Sequence, residues 1–421
     1  MTTSRTTGST PDGPTWALVR VLRDPNAGLL LAGVVVSGFG TSALWLASGV
    51  WVKDLTGSDG LAALCLLAMW TPTLAGPLLG TLADRVRRKP LLIGTSLLMA
   101  ALLLTLVTAD SPQALWLLFA VLFVYGAAGV VNDAAESALA ATAVDRSLLG
   151  DLGGLRMTAT EGMKLLAPLA GAGLYTAHGG PAVAFLDAVT FAVAAVLYLF
   201  LNVREKRPAP PADGRRGRTA EGVRFLRSHP VLRPLVLAGG ATMLCAGLNG
   251  ALVYAVVDGL GRSPAYSGVL YAVQGAGSVA LGLCAGPALR RLGERRFAAY
   301  GVVLLAGGVA LRAVPSDPVA WACSAAIGAG LPALLIAALT AVQRETPGPL
   351  LGRVTATANT LVFTPNVIGL AVGAVLVELL DHRLVLAVLG LALLVPAAGL
   401  FQSAASAERT ASRSSSDANP A

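Results

Sequence analysis

Four ionisable residues lie inside stretches too apolar to hold charge cheaply. Asp133 and Glu136 are three apart in the run 114–138, and Glu161 and Lys164 are three apart in the run 153–176. On a helix that spacing puts each pair on one face. If the two runs are antiparallel helices turning near Ser147, Asp133 and Glu161 are each about 14 residues from the turn and so at about equal depth. The four are expected to form one site. Three carboxylates against one lysine cannot all stay ionised in a low-dielectric setting, so at least one is expected to exchange a proton near neutral pH. Asp187, near the outer end of the run 182–202, is a further candidate for such coupling. The competing reading is structural, with Glu136 hydrated near a helix end, Glu161 paired to Lys164, and Asp187 serving helix packing.

The elements that hold these residues follow from composition. The chain has 421 residues, of which 55% are hydrophobic and only 13% charged, so it must use lipid as solvent. A hydrocarbon core of about 30 Å takes roughly 20 apolar residues per helix. About twelve such runs are present, near 28–52, 60–82, 90–109, 114–138, 153–176, 182–202, 234–257, 266–287, 297–314, 318–341, 354–379 and 384–402. They are numbered here as spans 1 to 12. The fold expected is all-α and integral to the membrane, with twelve transmembrane helices in two bundles of six.

Charge sets the sidedness. The net charge is +8 and the cations gather in alternate loops, at Arg5, Arg20 and Arg23, Arg85 to Lys89, Arg146 and Arg156, Arg204 to Arg233, Arg290 to Arg296, and Arg344 onward. The opposite loops keep only Lys53, Arg262, Arg312 and Arg383. By the preference of Lys and Arg for the cytoplasmic face, both termini are expected in the cytoplasm of a multi-pass plasma-membrane protein. With aromatics at 5% and the cations in short loops, a nucleic-acid surface is not expected. The domain reading is a cytoplasmic segment 1–27, a bundle 28–202, a basic Pro-rich linker 203–233, a second bundle 234–402 and a disordered cytoplasmic tail 403–421. Within the linker, Ala220 to Ser228 is expected to form a surface amphipathic helix with Val223 and Phe225 or Leu226 toward lipid.

Uncharged polar and flat residues inside the spans are candidates for a cargo cavity: Trp45, Asn132, Asn249, Tyr254, Gln274, Asn359 and Asn366. Such groups also bond neighbouring helices. Cys65, Cys245, Cys284 and Cys323 lie in apolar runs without CxxC spacing and read as small core residues, so neither disulfide nor metal is expected. The sequence has no P-loop, HExxH or GxSxG, and its three Gly-x-Gly-x-x-Ala matches fall inside spans. No enzyme activity and no cofactor are expected; the partners are a small molecule, protons and lipid, and the chain is read as a monomer.

Between spans 2 and 3 the chain reads GTLADRVRRK, Gly80 to Lys89. This resembles the loop signature of major facilitator transporters, matched at Gly80, Leu82, Asp84, Arg85, Arg88 and Lys89, with Arg87 where a glycine is commonest. A weak echo, GPALRRLGERR, follows at Gly286 to Arg296, with Arg290 in place of the acid, as a duplicated fold would show. WVKDLTGS, FLDAVTF, FLRSHPVLR and LLGRVTA, in this order along the chain, are similar to the twelve-helix exporters that include macrolide-efflux proteins and enterobactin-type siderophore exporters. The resemblance implies export of amphiphilic small molecules by proton antiport. It also implies a latch in which Asp84, held by Arg88, meets the start of span 11 near Arg353, and a bendable span 5 at Pro168 and Gly171. The chain departs from that family in span 1, where an acid is common and Gly38-Phe39-Gly40-Thr41 stands instead. A siderophore or lysophospholipid mover, a metabolite importer and a ligand-binding membrane sensor are the other readings open at this point.

Overall fold

The computed structural model describes residues 14–76, 79, 86–108, 115–145, 148–203 and 215–417; for some of these, Glu161, Lys164 and Arg353 among them, only the backbone is described. The elements are α1 Pro14–Arg23, α2 Pro25–Thr56, α3 Asp59–Trp70 with a 3₁₀ turn Thr71–Ala75, α4 Arg88–Thr105, α5 Leu115–Ala143 and α6 Leu149–Leu199. They continue with α7 Arg215–Ser228, α8 Leu232–Ala251, α9 Val253–Gly259, α10 Ser267–Leu311, α11 Asp317–Glu345, α12 Gly348–Leu379 and α13 His382–Asp417. Among the described residues, nine helices are long and apolar enough to cross a membrane. Two of the nine are double. α6 carries spans 5 and 6 and reverses at Gly179, where φ is 77°, and α10 carries spans 8 and 9 and reverses at Gly293, where φ is 72°. A side chain is strained in that left-handed region, so both turns fall on glycine. With the shorter α3 as span 2, the fold has twelve spans.

The apolar residues gather by half. One large core runs from Leu226 to Leu400, and two others draw only on residues 21 to 201. Two small clusters mix the halves. Leu46, Val50, Ala62 and Ala172 meet Val253 and Tyr254, while Ala63 and Leu66 meet Ala251, Leu370 and Ala374.

Helices in lipid gain nothing by hiding apolar surface from one another, so tight association depends on small residues that let backbones approach. α10 and α11 show this reciprocally. A β-carbon on Gly277 would strike the Ala325 carbonyl, and one on Gly328 would strike the Gln274 carbonyl. The hydroxyl of Ser278 donates to the Gly328 carbonyl at 2.7 Å in the gap so created.

Several expectations are corrected. The segment before span 1 is helical from Pro14 to Arg23 and buries Val21, with Asp24 capping the next helix by accepting from the Ala27 amide at 2.8 Å. The tail read as disordered continues α13 to Asp417, because its alanines favour helix. In α7, Leu226 is buried against the second bundle and does not face lipid, whereas Val223 is exposed. Cys284 is exposed, while Cys65 and Cys323 are buried. Arg312 lies in the turn after α10, in keeping with its assignment to a loop, and is nonetheless 4% exposed.

Replacing Gly328 with Leu should force α10 and α11 apart and cost about 1–3 kcal/mol, seen as a lower melting temperature of the purified protein, whereas Leu at Gly307, which faces open space, should leave it unchanged.

Candidate functional site

The acids of the first half lie at two levels on the same pair of helices. At the level nearer the basic loops, Glu136 of α5 is 3% exposed. Arg156 of α6 reaches its Oε2 at 3.0 Å, and Tyr198 at the end of α6 donates to its Oε1 at 3.2 Å. At the deeper level, Asp187 of α6 is 0% exposed. Tyr125 of α5 donates to its Oδ2 at 2.9 Å, and the Thr190 hydroxyl shares its proton between the Asp187 backbone carbonyl at 2.8 Å and Oδ1 at 3.0 Å. Tyr125 has one proton and gives it to Asp187, so the hydroxyl of Thr41, 2.7 Å away on α2, donates to Tyr125. Among the described residues, no cation lies against Asp187.

Both bonds between α5 and the second limb of α6 join residues 62 apart in sequence, 125 to 187 and 136 to 198. Eleven residues separate the two levels on each helix, which is close to three turns and about 16 Å. The helices therefore keep one parallel register and exchange roles, Tyr facing Asp at one level and Glu facing Tyr at the other. α2 fits around both partners through glycine. A β-carbon at Gly33 would overlap the Tyr198 ring, and one at Gly40 would overlap the Asp187 carboxyl and the Thr190 hydroxyl. In span 1, then, Gly38-Phe39-Gly40-Thr41 brings no acid of its own and makes room for one supplied by span 6.

The four-residue site expected from spacing is changed accordingly. Glu136 meets Arg156, which the sequence marked only as a loop cation, while the expected turn at Ser147 lies outside the described residues. Asp133 is exposed and feels the charges of Arg156 and Glu136 without a direct bond. The side chains of Glu161 and Lys164 lie outside the described residues. Asn132 accepts the Thr95 hydroxyl of α4 at 2.9 Å and is 7% exposed, so here it joins two helices. Tyr254 is also buried, its ring against Gly49 and its hydroxyl donating to the Leu46 carbonyl at 3.3 Å across the halves. Trp45 packs edge-on to Tyr271 at 4.7 Å, again across the halves. Asn249 is buried with Oδ1 unbonded; Gln274 and Asn366 are half-buried and Asn359 is exposed. Pro168 and Gly171 sit in unbroken helix, Gly171 against the Ala43 backbone and the Pro168 carbonyl facing Gly268 of α10.

Of the loop signature, Gly80, Asp84 and Arg85 lie outside the described residues, as does the side chain of Arg353. Lys89 donates to the Leu199 and Leu201 carbonyls at 2.9 and 2.8 Å, and Arg88 donates to the Ala138 carbonyl at 3.4 Å. Both cations thus serve carbonyls near helix ends of their own bundle, where a positive charge is favoured.

At the far end from the basic loops, the halves are fastened by residues that the sequence reading passed over. Lys53 of α2 is 2.7 Å from Asp59 of α3 and 2.7 Å from Asp258 of α9. Glu378 of α12 accepts from the Ser58 hydroxyl at 2.6 Å and from the Gly60 amide at 2.7 Å, so a carboxylate of the second half sits on the amino end of a helix of the first. The signal for this was present in WVKDLTGSDG, which offers a cation, a cap and two acids in ten residues. Lys53→Met and Glu378→Gln should each loosen this end. Spin labels at Asp54 and Leu380 should then report a longer, broader separation than in the parent, and an unchanged distribution would mean that these bonds do not hold the halves together.

The Major Facilitator Superfamily profile matches residues 30–256 and again 235–419. No curated protein matches the chain. Among solved structures, a variant of the nucleoside transporter NupG is 13% identical and aligns with a TM-score of 0.71 over 89% of this chain and 99% of its own. A bacterial homologue of the iron transporter ferroportin, in an inward-facing state, is 16% identical at 0.70 over 91% and 99%. A variant of the peptide transporter POT is 16% identical at 0.69 over 89% and 93%. At these identities the likeness is one of fold, while the profile covers nearly the whole chain in two copies, one per half. The chain belongs to the Major Facilitator Superfamily and is a membrane transporter, not an enzyme.

Proposed function

We propose that this transporter exports amphiphilic small molecules from the cytoplasm by proton antiport, with the basic loops and both termini on the cytoplasmic side. The observation that carries the coupling is Asp187, an acid sealed between α2, α5 and α6 whose side chain has hydroxyl partners only among the described residues. A lone carboxylate in such surroundings is costly, and hydroxyls do not cancel its charge. The balancing charge has to arrive from outside, as a proton in one stage of the cycle. The chain Thr41 to Tyr125 to Asp187 suits that exchange, because each hydroxyl can donate or accept and the bonds can reverse as the proton comes and goes. Glu136 differs, having Arg156 as a permanent partner, and serves as the anchor that holds α5 and α6 in register.

Alternating access then uses the bonds at the far end. With Lys53, Asp258, Glu378 and Gly60 joined, the outer side is closed and cargo enters from the cytoplasm. Breaking them lets the halves rock about the contacts of α3 with α12 and of α6 with α10. The latch of Asp84 on the start of span 11 is the proposed counterpart at the cytoplasmic end.

Comparing drug susceptibility of deletion and overexpression strains identifies a cargo, and everted vesicles under an imposed pH gradient then test the coupling. Asp187→Asn keeps the shape of the side chain, so it should reach the membrane at normal levels, lose gradient-driven accumulation by at least about tenfold and release no proton on cargo binding. Full gradient-driven uptake in Asp187→Asn would sink the assignment.

A further inference from the structure

Arg312 is, among the described residues, a buried charge without an acidic partner. It closes the far end of α10, where the neighbouring residues Leu311 and Val314 are exposed, yet it is itself 4% exposed. Its Nε has no hydrogen-bond partner. The Tyr271 phenol and the Cys323 thiol lie near it, and among the described residues no carboxylate pairs with it. The nearby acids are engaged elsewhere. Asp317, five residues on, takes Arg262 at 2.5 Å and the Tyr266 hydroxyl at 3.1 Å, and Asp258 is held by Lys53. Arginine stays protonated at any working pH and its planar fork is built to hold two oxygens of one anion. A buried guanidinium of this kind is left wanting an oxyanion.

Its position says what carries that anion. Tyr271, beside Arg312, packs edge-on against Trp45 of the opposite half at 4.7 Å with the ring planes at 68°. Cation, phenol and indole thus run in sequence from the second half to the junction of the two, where a bound molecule touches both. We propose that Arg312 is the anion-receiving position of the transport site, taking the carboxylate, phosphate or sulfonate of a cargo whose flat apolar body lies against Trp45 and Tyr271. This rests on the transporter reading and narrows it to anionic amphiphiles.

Binding without any gradient tests it separately from export and from proton coupling. The purified protein in phosphatidylcholine nanodiscs is titrated with 2-naphthoate and with the uncharged 2-naphthamide, following tryptophan fluorescence. The parent should prefer the naphthoate by about tenfold or more. Arg312→Gln should bind both equally, with its affinity for the amide unchanged as the sign of an intact fold, and Arg312→Lys should keep part of the preference. Equal binding of the two probes to the parent, binding of neither, or a preference that survives Arg312→Gln would overturn the proposal. Repeating the titration in discs containing phosphatidylglycerol separates cargo from lipid: a preference that persists supports a cargo anion, and one that vanishes assigns Arg312 to a lipid phosphate and overturns it.

Discussion

Close backbone contact between helices is the constraint from which the rest of this structure follows. Inside a bilayer the helices gain no hydrophobic energy by meeting, so what holds them is contact at short range and the polar bonds that such contact permits. Gly277 and Gly328 bring α10 and α11 together, and Gly33 and Gly40 bring α2 onto α6. The second pair does more than pack. By leaving out a side chain at Gly40, the sequence opens the one space where the Asp187 carboxyl fits between three helices.

That economy explains why the acids divide their work. Glu136 and Asp187 stand in matched settings, each facing a tyrosine on the partner helix across the same sequence separation. The difference is Arg156, present at one level and, among the described residues, without a counterpart at the other. One acid is neutralised within the protein and fixes geometry. The other has hydroxyl partners among the described residues, and the proposed proton coupling rests on that difference.

Much of the architecture was legible from hydrophobic run length alone, because twelve stretches of spanning length leave a chain few other solutions. The two halves and the repeated loop followed from spacing. The site was legible in part. Asp187 and Glu136 stand out because charge in an apolar run is rare, but their partners do not: tyrosine and threonine are unremarkable in a span, and Arg156 looks like any loop cation. Asn132 and Tyr254 drew attention for the same reason as the acids and turned out to join helices, since a polar group inside a membrane is as well served by a neighbour as by a ligand. The bonds at the far end escaped notice because the residues flank the spans, and only the fold brings Glu378 to Gly60 across 318 positions of sequence.

The lysine at the junction far from the basic loops has two acids, one in each half. In the alternating-access cycle proposed above, Asp258 departs with its own half while Asp59 stays behind, so the ammonium keeps one acid throughout. Water needs to replace a single salt link, and the residual pair keeps the side chain aimed at the spot to which its second partner returns. A seal made in this way is inexpensive to undo and remakes itself in the same geometry, which suits the opening and closing of the proposed cycle.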